Sequence, residues 1–551
     1  MMFLPRLLRQ LLLGAFVRRC SALVVSPPLL EIDTLVIGGG VSGLTSAFYA
    51  HKGGASTLLA DSDPTRLGGV IETQQRDGSQ WEDGPNTFQA SAMGLRRLAA
   101  DLGLAVVASD PALPRFVLGA ADGALYALPA ELPRLLSPWG LLRAAAGLLL
   151  LPVAPPDDDD ETVASFVARV CGGEVLQKVV EPFLSTVYTG DPAALSLASV
   201  FPSLGRLAAA ADGTPGGLLH CFVVSKKIAA AADEERKSID WNAVGNAVDA
   251  GRSLRPDRDY GALPEVPKGS SLSFVAGLRA LPEAVRTTLG AGGCRLGWTA
   301  LSVRPAFTAN PQEEERFDVR FATPEGEKVV RAWTVIVATP AAAAAALLAP
   351  VAPSASDLVA ITAPPVVAVT LAYPQSALAP TKAVDGGGLR GFGLLIPRSA
   401  GIETLGFQFV SSLFPSRVRA GEQVVLAYYG GAQCGVDPDT LSDAEIVDRV
   451  HADAGRLLLT PTSAWDAPRV LSVRRWQEGI PQYGVGHARL VEAVRGELPR
   501  TKRGGVLLGG AGAGGGISLG DCAEGGYACA QAALDMSRYR AAMSAASVGR
   551  G

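Results

Sequence analysis

Gly38, Gly40 and Gly43 form a G-x-G-x-x-G pattern inside IDTLVIGGGVSGLTSAFYA, directly after an apolar run and directly before a helical one. In that setting Gly38 permits a tight turn, Gly40 lets backbone approach a pyrophosphate, and Gly43 allows a helix to pack closely on a strand. The start of the helix, from Gly39 through Val41 and Ser42, offers free N–H groups and a positive dipole end to phosphates. Asp61 ends the next apolar run, Ser56–Ala60, where a carboxylate can accept hydrogen bonds from ribose hydroxyls. A second cluster follows at once: Arg66, Gly68, Gly69 and Val70, then Asp83, Gly84, Pro85 and Asn86 in WEDGPN. A simple nicotinamide-nucleotide domain has no need of that second cluster.

The elements that must carry these residues can be read from pattern. Residues 31–63 form a βαβ start, with strands at Ile32–Gly38 and Ser56–Ala60 around the helical run Leu44–His51. Strand-rich sequence resumes at Arg295–Pro305, Phe317–Phe321 and Thr334–Ala338, followed by the Ala-rich helical run Ala341–Leu348. A further strand-rich block spans Val366–Tyr373, Leu394–Ile396, Phe407–Val410 and Gln423–Tyr429. The tail passes from an apolar strand through a glycine-rich turn, Val506–Gly516, into a helix beginning near Asp521. Between residues 231 and 267 the chain turns polar and turn-rich, which reads as a surface insertion.

Composition narrows the function. The chain has 551 residues, 48% hydrophobic and 19% charged, too apolar for a disordered protein. Its length predicts about three structural units. With 49 Lys and Arg against 53 Asp and Glu, it has no global basic field for nucleic acid. Seven scattered cysteines include no C-x-x-C pair, and the four histidines stand far apart. A disulfide framework, a zinc ribbon and a histidine-rich metal centre are all disfavoured, and no metal ligand set is predicted.

Met1–Leu30 contains four arginines and no acidic residue, the composition of an organelle transit peptide. The competing reading, a secretory signal built on Leu11–Val17, is opposed by Arg18 and Arg19 directly after it. These residues do not separate plastid from mitochondrion. Prolines break Val335–Pro374 before a membrane span can form. Leu132–Val153 reads either as a buried hairpin or as a patch lying in a membrane interface.

The pairing of G-x-G-x-x-G with R-x-G-G and a D-x-G-P segment resembles the FAD-binding signature of the amine-oxidase superfamily. Beyond it, DGSQWEDGPNTFQ (77–89), VVEPFLSTVYTGDPAALSLASVFPSL (179–204), SLSFVAGLRALPEAV (271–285), GFGLLIPRSAGIETLGFQFVSSLFPSR (391–417) and RRWQEGIPQYGVGH (474–487) resemble the protoporphyrinogen oxidases of plant and algal plastids. The resemblance implies an FAD enzyme that removes six electrons from protoporphyrinogen IX. Hydride would pass from the macrocycle to flavin, and molecular oxygen would reoxidise it to give hydrogen peroxide. No dedicated catalytic acid or base is expected. It implies an α/β Rossmann-type FAD-binding domain built from 31–110, 268–345 and 465–535. A β-sheet substrate domain would come from 111–130 and 346–464, and a helical membrane-facing domain from 131–230.

The same resemblance assigns residues. Arg66 would meet the pyrophosphate, Val303 would bring backbone to the adenine, and Trp476 would border the cofactor. Gly512, Ile517, Ser518 and Leu519 would place a helix start beside the flavin ring, where it stabilises negative charge. Leu395 and Phe414 would sandwich a pyrrole ring, and the Gly190 carbonyl would approach the macrocycle. Tyr126 stands where an arginine is expected to hold a propionate, a departure that replaces a charged fork by one phenol donor. Arg115 is the alternative propionate partner. Gly512–Gly515 is a second departure, implying a looser pocket wall. The resemblance further implies a chloroplast location, with mitochondrion second, and contact with a membrane surface; a homodimer stays open. The rival readings are another FAD-dependent oxidase or desaturase of the superfamily and a non-catalytic flavin- or tetrapyrrole-binding paralogue.

Overall fold

A computed structural model describes residues 30–153, 160–209, 217–218, 260–306, 315–463, 466–513 and 515–548. The leader reading and most of the 231–267 insertion lie outside these described residues.

Seven strands form the first sheet. Along it run Cys294–Arg295, Thr57–Ala60, Leu30–Ile37, Gly326–Val337, Phe317–Thr323 and Thr299–Pro305, and Gly505–Leu508 pairs with the far half of Gly326–Val337. The glycine-bearing strand lies parallel to both neighbours, with Ile37 opposite Ala60 and Val337. Both faces of such a sheet are covered, so its strands read as continuous apolar runs. One face packs Leu35, Ile37, Val335 and Val337 against Phe321 and Leu348. The other packs Val36, Ile336 and Leu507 against Leu44 and Phe48 of the helix Val41–Lys52 and Ala530 of the long helix Leu519–Val548. The C-terminal helix is thus an integral layer of the nucleotide-type fold.

The second sheet is almost wholly antiparallel, in the order Arg469–Trp476, Val366–Pro374, Glu422–Gly430, Gly406–Phe409, Gly393–Leu395, Arg115–Leu118 and Leu125–Leu128. Only Gly393–Leu395 and Arg115–Leu118 run parallel. Phe116, Leu394, Phe407, Phe409 and Tyr429 alternate inward onto Ile446 and Val450 of the helix Asp443–Leu457. The opposite face meets the first sheet's loops through Trp81, which packs on Val424 and Leu426. One boundary needs correcting: Arg469–Trp476 was expected within the nucleotide-binding part, yet it pairs along Val366–Pro374. A Val/Trp-rich strand is equally at home in either sheet, and pairing partner is not written in composition.

The helix Pro138–Leu149 starts on Ser137, whose hydroxyl accepts from Gly140 N, and it packs on Val163–Val170 through Gly147. A Cβ at Gly147 would lie 1.7 Å from the Val170 carbonyl oxygen, so the helices touch backbone to backbone. Trp139 is 74% exposed, and Leu142, Leu148 and Leu150 are exposed with it. The buried-hairpin alternative does not hold for Pro138–Leu149, where close packing through glycine leaves these large apolar side chains outside, while Leu135, Leu136 and Val153 at the ends of the stretch are buried. Among the described residues no helix is long and apolar enough to cross a membrane.

Candidate active site

The loop between Leu30–Ile37 and Val41–Lys52 is fixed by contacts that only glycine permits. Gly38 sits at φ +102°, and a Cβ there would lie 2.7 Å from the Ala338 carbonyl oxygen. At Gly43 a Cβ would stand 1.8 Å from the Gly38 carbonyl oxygen. At Gly40, by contrast, a Cβ would meet nothing within 4 Å, so glycine there keeps the outside of the loop clear. The helix has no side-chain cap at Gly40, and an uncapped helix start leaves its first N–H groups without partners inside the helix.

Asp61 closes the loop from behind: Oδ2 accepts from Gly39 N at 2.5 Å, and Oδ1 accepts from Asp63 N at 2.8 Å. Gly68 N donates to the Gly39 carbonyl at 2.8 Å, and a Cβ on Gly69 would come within 3.2 Å of Gly40 Cα. The R-x-G-G segment therefore lies directly on the first glycine loop. Arg66 was expected to point to phosphate. Its guanidinium donates to the carbonyls of Ile71 (2.6 Å) and Gly69 (2.9 Å), holding its own loop in shape. Gly84 packs on Val70, where a Cβ would lie 1.9 Å from the Val70 carbonyl oxygen. Trp476 Nε1 donates to the Asp83 carbonyl at 2.8 Å, and Trp81 Nε1 donates to Asp83 Oδ1 at 3.0 Å. Asn86, just beyond Pro85, donates to the Gly84 carbonyl at 3.0 Å and to Tyr428 Oη at 3.2 Å, which ties the loop to the second sheet.

The tail converges on the same place. Gly510 N donates to Ser42 Oγ at 3.0 Å, and Ser46 Oγ donates to the Gly526 carbonyl at 3.0 Å. Gly512 packs near Ala341, and Ile517 joins the helical cluster around Tyr483. Ser518 caps the helix reciprocally with Asp521: Asp521 N donates to Ser518 Oγ at 3.1 Å, and Ser518 Oγ donates to Asp521 Oδ2 at 2.6 Å. Leu519 is buried in the first sheet's core, while Gly514 lies outside the described residues. Val303, expected to bring backbone to the adenine, is buried and pairs with Val319, and nearer the loops Gly297 and Trp298 donate their N–H groups to the Asp63 and Asp61 carbonyls, both at 2.9 Å.

On the second sheet, register defines the face opposite the core. Leu395 pairs with Gly406 on one side and Val117 on the other, and Gly393 pairs with Gln408 and Arg115. Gly406 also pairs with Tyr428, and Gln408 with Leu426. Directly paired residues share a face, so Arg115, Val117, Leu395, Gln408, Leu426 and Tyr428 lie around Gly393 and Gly406, which make a shallow trough in which a Cβ would stand 2.3 Å from the Phe407 carbonyl oxygen or 2.7 Å from that of Leu394. Thr186, from the helix Glu181–Val187, covers its Gly406 end and donates to the Leu405 carbonyl at 2.7 Å. Gly190 lies beyond that helix, tight against Gln482, and the neighbouring Thr189 carbonyl accepts from Ala432 N at 2.8 Å.

Phe414 was expected to face Leu395 across a pyrrole ring. It follows Val410–Leu413, beyond the end of the ladder away from Leu395; it is 4% exposed, and the Arg417 guanidinium lies 4.6 Å above its ring. Tyr428 is the aromatic that shares Leu395's face, and its place at an outward position of the alternating strand EQVVLAYYG was a readable signal. Burial pushes its phenol up to about 12, so it stays protonated and cannot serve as a base near neutral pH. Tyr126 is on the outer strand of the sheet, where its hydroxyl donates to Asp122 at 2.5 Å and Lys382 stands 5.5 Å over its ring. Arg115, one strand nearer the trough, stands 5.0 Å over the Phe392 ring. Phe414's neighbour Arg417 belongs to a buried pin: it reaches Glu82 at 3.4 Å, while Glu82 also accepts from Leu278 N at 3.0 Å and Thr73 Oγ1 at 2.5 Å. Burial raises the Glu82 carboxyl to about 7 against those contacts.

The loops fit a dinucleotide. Three glycine segments from separate parts of the chain leave one uncapped helix start with clear space outside it. The flavin containing amine oxidoreductase family matches residues 41–534. The chain belongs to that family. It is an FAD-dependent oxidoreductase. A protoporphyrinogen oxidase, chloroplastic, of Oryza sativa subsp. japonica is 37% identical over 516 residues, 91% of this chain and 88% of the relative. The protoporphyrinogen oxidase 1, chloroplastic, of Arabidopsis thaliana is 35% identical over 521 residues, 92% of this chain and 89% of the relative. A crystal structure of a protein from Exiguobacterium sp. 255-15 shares the fold, with a TM-score of 0.65 at 21% identity over 92% of this chain and 99% of that one.

Proposed function

We propose that the protein oxidises protoporphyrinogen IX to protoporphyrin IX, with molecular oxygen as electron acceptor and hydrogen peroxide as by-product. The observation that carries this reading is the face of the second sheet that holds Leu395 and Tyr428, tied through Asn86 to the glycine loops. When bound, FAD supplies a two-electron acceptor that oxygen can reoxidise. The chain's own part is to bind, orient and keep water out. Leu395 and the Tyr428 ring offer apolar faces to a large flat ring. Tyr428 keeps its proton and holds the Gly84–Asn86 loop. Arg115 at the trough's rim suits a propionate. No side chain at the trough is placed to act as a strong base, consistent with chemistry driven by orientation.

The second sheet is accordingly the substrate-binding part, and the helical segment containing Pro138–Leu149 is the membrane-facing part. The exposed row Trp139, Leu142 and Leu148 supports shallow seating in a bilayer interface, sensible for an oily substrate. A chloroplast location follows from the plant relatives. The test is turnover: the full-length protein, loaded with FAD, should convert protoporphyrinogen IX in air to fluorescent protoporphyrin well above a protein-free autoxidation blank. A folded, yellow protein that leaves the rate at the blank overturns the reading and favours the non-catalytic paralogue.

A further inference from the structure

From Ala511 to Gly516 the chain reads AGAGGG, with no side chain longer than a methyl. Nothing within such a turn can fix its own backbone, and glycine widens the choice of shapes. The bracing comes from outside, and from one part of the chain. The Tyr483 hydroxyl donates to the Ala511 carbonyl, and Arg495 Nη2 donates to the Ala513 carbonyl at 3.0 Å. The Gly516 N–H faces the same phenol oxygen, so one hydroxyl meets both ends of the turn. Just before the turn, Gly510 N donates to Ser42 Oγ, which seats it beside the start of the dinucleotide helix.

Tyr483 itself is firmly held. It is 1% exposed, and its ring lies among Val163, Leu195 and Ile517, stacked on His487 with centroids 4.1 Å apart. Its carbonyl accepts from Ser196 N at 2.7 Å, and Gly484 bridges to Leu195. Burial pushes its phenol up, so it stays a donor near neutral pH. A phenylalanine would fill the same cluster equally well. What the oxygen adds is its hold on the turn.

We propose that Tyr483 is a positioning residue for the cofactor, its hydroxyl fixing the Ala511–Gly516 turn against bound FAD, with Arg495 as a second brace. This rests on the reading that sets Gly512–Leu519 beside the flavin ring, and not on the identity of the substrate. The glycines let backbone come close to the flavin, and the phenol removes the freedom they would otherwise bring. The cofactor then meets one backbone shape instead of several, which is preorganisation.

The experiment compares Tyr483→Phe and Arg495→Met with the unmodified full-length holoenzyme. The FAD dissociation constant, the fine structure of the visible flavin bands and the melting temperature in excess FAD are measured. Tyr483→Phe should bind FAD about tenfold more weakly, the weight of one buried hydrogen bond. Its flavin bands should blur, and it should melt within about 3 °C of the parent. Arg495→Met removes a partly exposed brace and should weaken FAD about threefold. FAD affinity within about twofold of the parent, with unaltered bands, in Tyr483→Phe overturns the proposal. A melting temperature lowered by more than about 5 °C with unaltered bands also overturns it, by making the hydroxyl a contact of the fold alone. Should Tyr483→Phe not fold, parental affinity and bands in Arg495→Met overturn it. No readout needs a substrate, so an unmodified protein without turnover sinks the oxidase reading and leaves this one to the flavin measurements.

Discussion

The glycine loops of the first sheet and the trough of the second sheet solve the same problem by opposite means. The loops use backbone. Gly38, Gly43 and Gly84 each exclude a Cβ by contact with a carbonyl oxygen, so residue type and geometry determine one another. On the second sheet Gly393 and Gly406 also exclude a Cβ, 2.3 Å from the Phe407 carbonyl oxygen and 2.7 Å from that of Leu394, but the surface around them is set by side chains, Arg115, Leu395 and Tyr428. Backbone recognition tolerates almost no substitution, whereas a side-chain wall can be rebuilt one residue at a time.

The comparison breaks first, if it breaks, at Gly43 and Gly40. Gly43→Val places a side chain into the Gly38 carbonyl, 1.8 Å from where its Cβ must go. We expect a loss of flavin to below about a tenth of the parent and a fall in melting temperature above about 5 °C, as overpacking of this kind costs about 1–3 kcal/mol or more. Gly40→Ala meets nothing in the protein, so it should melt normally yet bind FAD about tenfold more weakly. Flavin absorbance after gel filtration, read beside a thermal melt, separates the two. Equal losses of stability would mean that Gly40 is structural as well.

The second test addresses the pin between the regions. Arg417→Met leaves the Glu82 carboxyl buried without its cation, and we expect a loss of about 3–5 kcal/mol near neutral pH. The sign of the pH dependence follows from burial. Glu82's folded value, about 7, lies above its ordinary 4.5, so its contribution to stability is present below 4.5 and is lost as pH rises through 7. Urea melts between pH 5 and 8 should show stability falling with pH on this account, and Glu82→Gln should flatten that slope. A slope unchanged in Glu82→Gln would assign the titration to another group.

How far each region could be read from sequence follows the same division. Gly38, Gly43, Gly68, Gly69 and Gly84 were all recognisable, because spacing between glycines survives wherever backbone must touch backbone. The motif did not show that Arg66 also holds its own loop through the Ile71 and Gly69 carbonyls, and strand alternation does not say which apolar residue touches a ligand. In the second sheet the resemblance named Leu395 and Phe414, and strand register adds Tyr428 to the face that Leu395 occupies. Both named residues rested on a shared segment, GFGLLIP through SSLFPSR, while the face Leu395 occupies is completed from the next strand in register, Glu422–Gly430. Register between strands is set by tertiary pairing and leaves little trace in a single chain.

Tyr428→Phe sharpens the link between the two regions with a smaller effect. It removes the oxygen that accepts from Asn86 at 3.2 Å while keeping the ring against the substrate. One such hydrogen bond is worth about 0.5–1.5 kcal/mol. We expect KM to hold within about twofold and kcat to fall about threefold to tenfold, as the Gly84–Asn86 loop loosens. A KM effect with kcat unchanged would make Tyr428 a simple wall residue.

The smallest effect is expected where the sequence reading placed weight, on Tyr126. Its hydroxyl is held by Asp122 at 2.5 Å, its ring lies under Lys382, and Val117 stands between it and Leu395 in the register. Removing that hydroxyl changes a surface hairpin whose hydrogen bonds exchange readily with water, so Tyr126→Phe should leave KM within about twofold of the parent. Arg115 pairs directly with Gly393, and its charge reaches the rim across the Phe392 ring. Arg115→Gln should therefore raise KM about fivefold to tenfold, the weight of one charge-assisted contact at a partly exposed site. Restoring ionic strength should mimic part of that loss in the parent and none of it in Arg115→Gln, because screening acts only on a charge that is present. If Tyr126→Phe carried the larger penalty, the propionate would have to lie along the outer strand, and the trough would bind its substrate turned by two strands from the orientation that Leu395 and Tyr428 define.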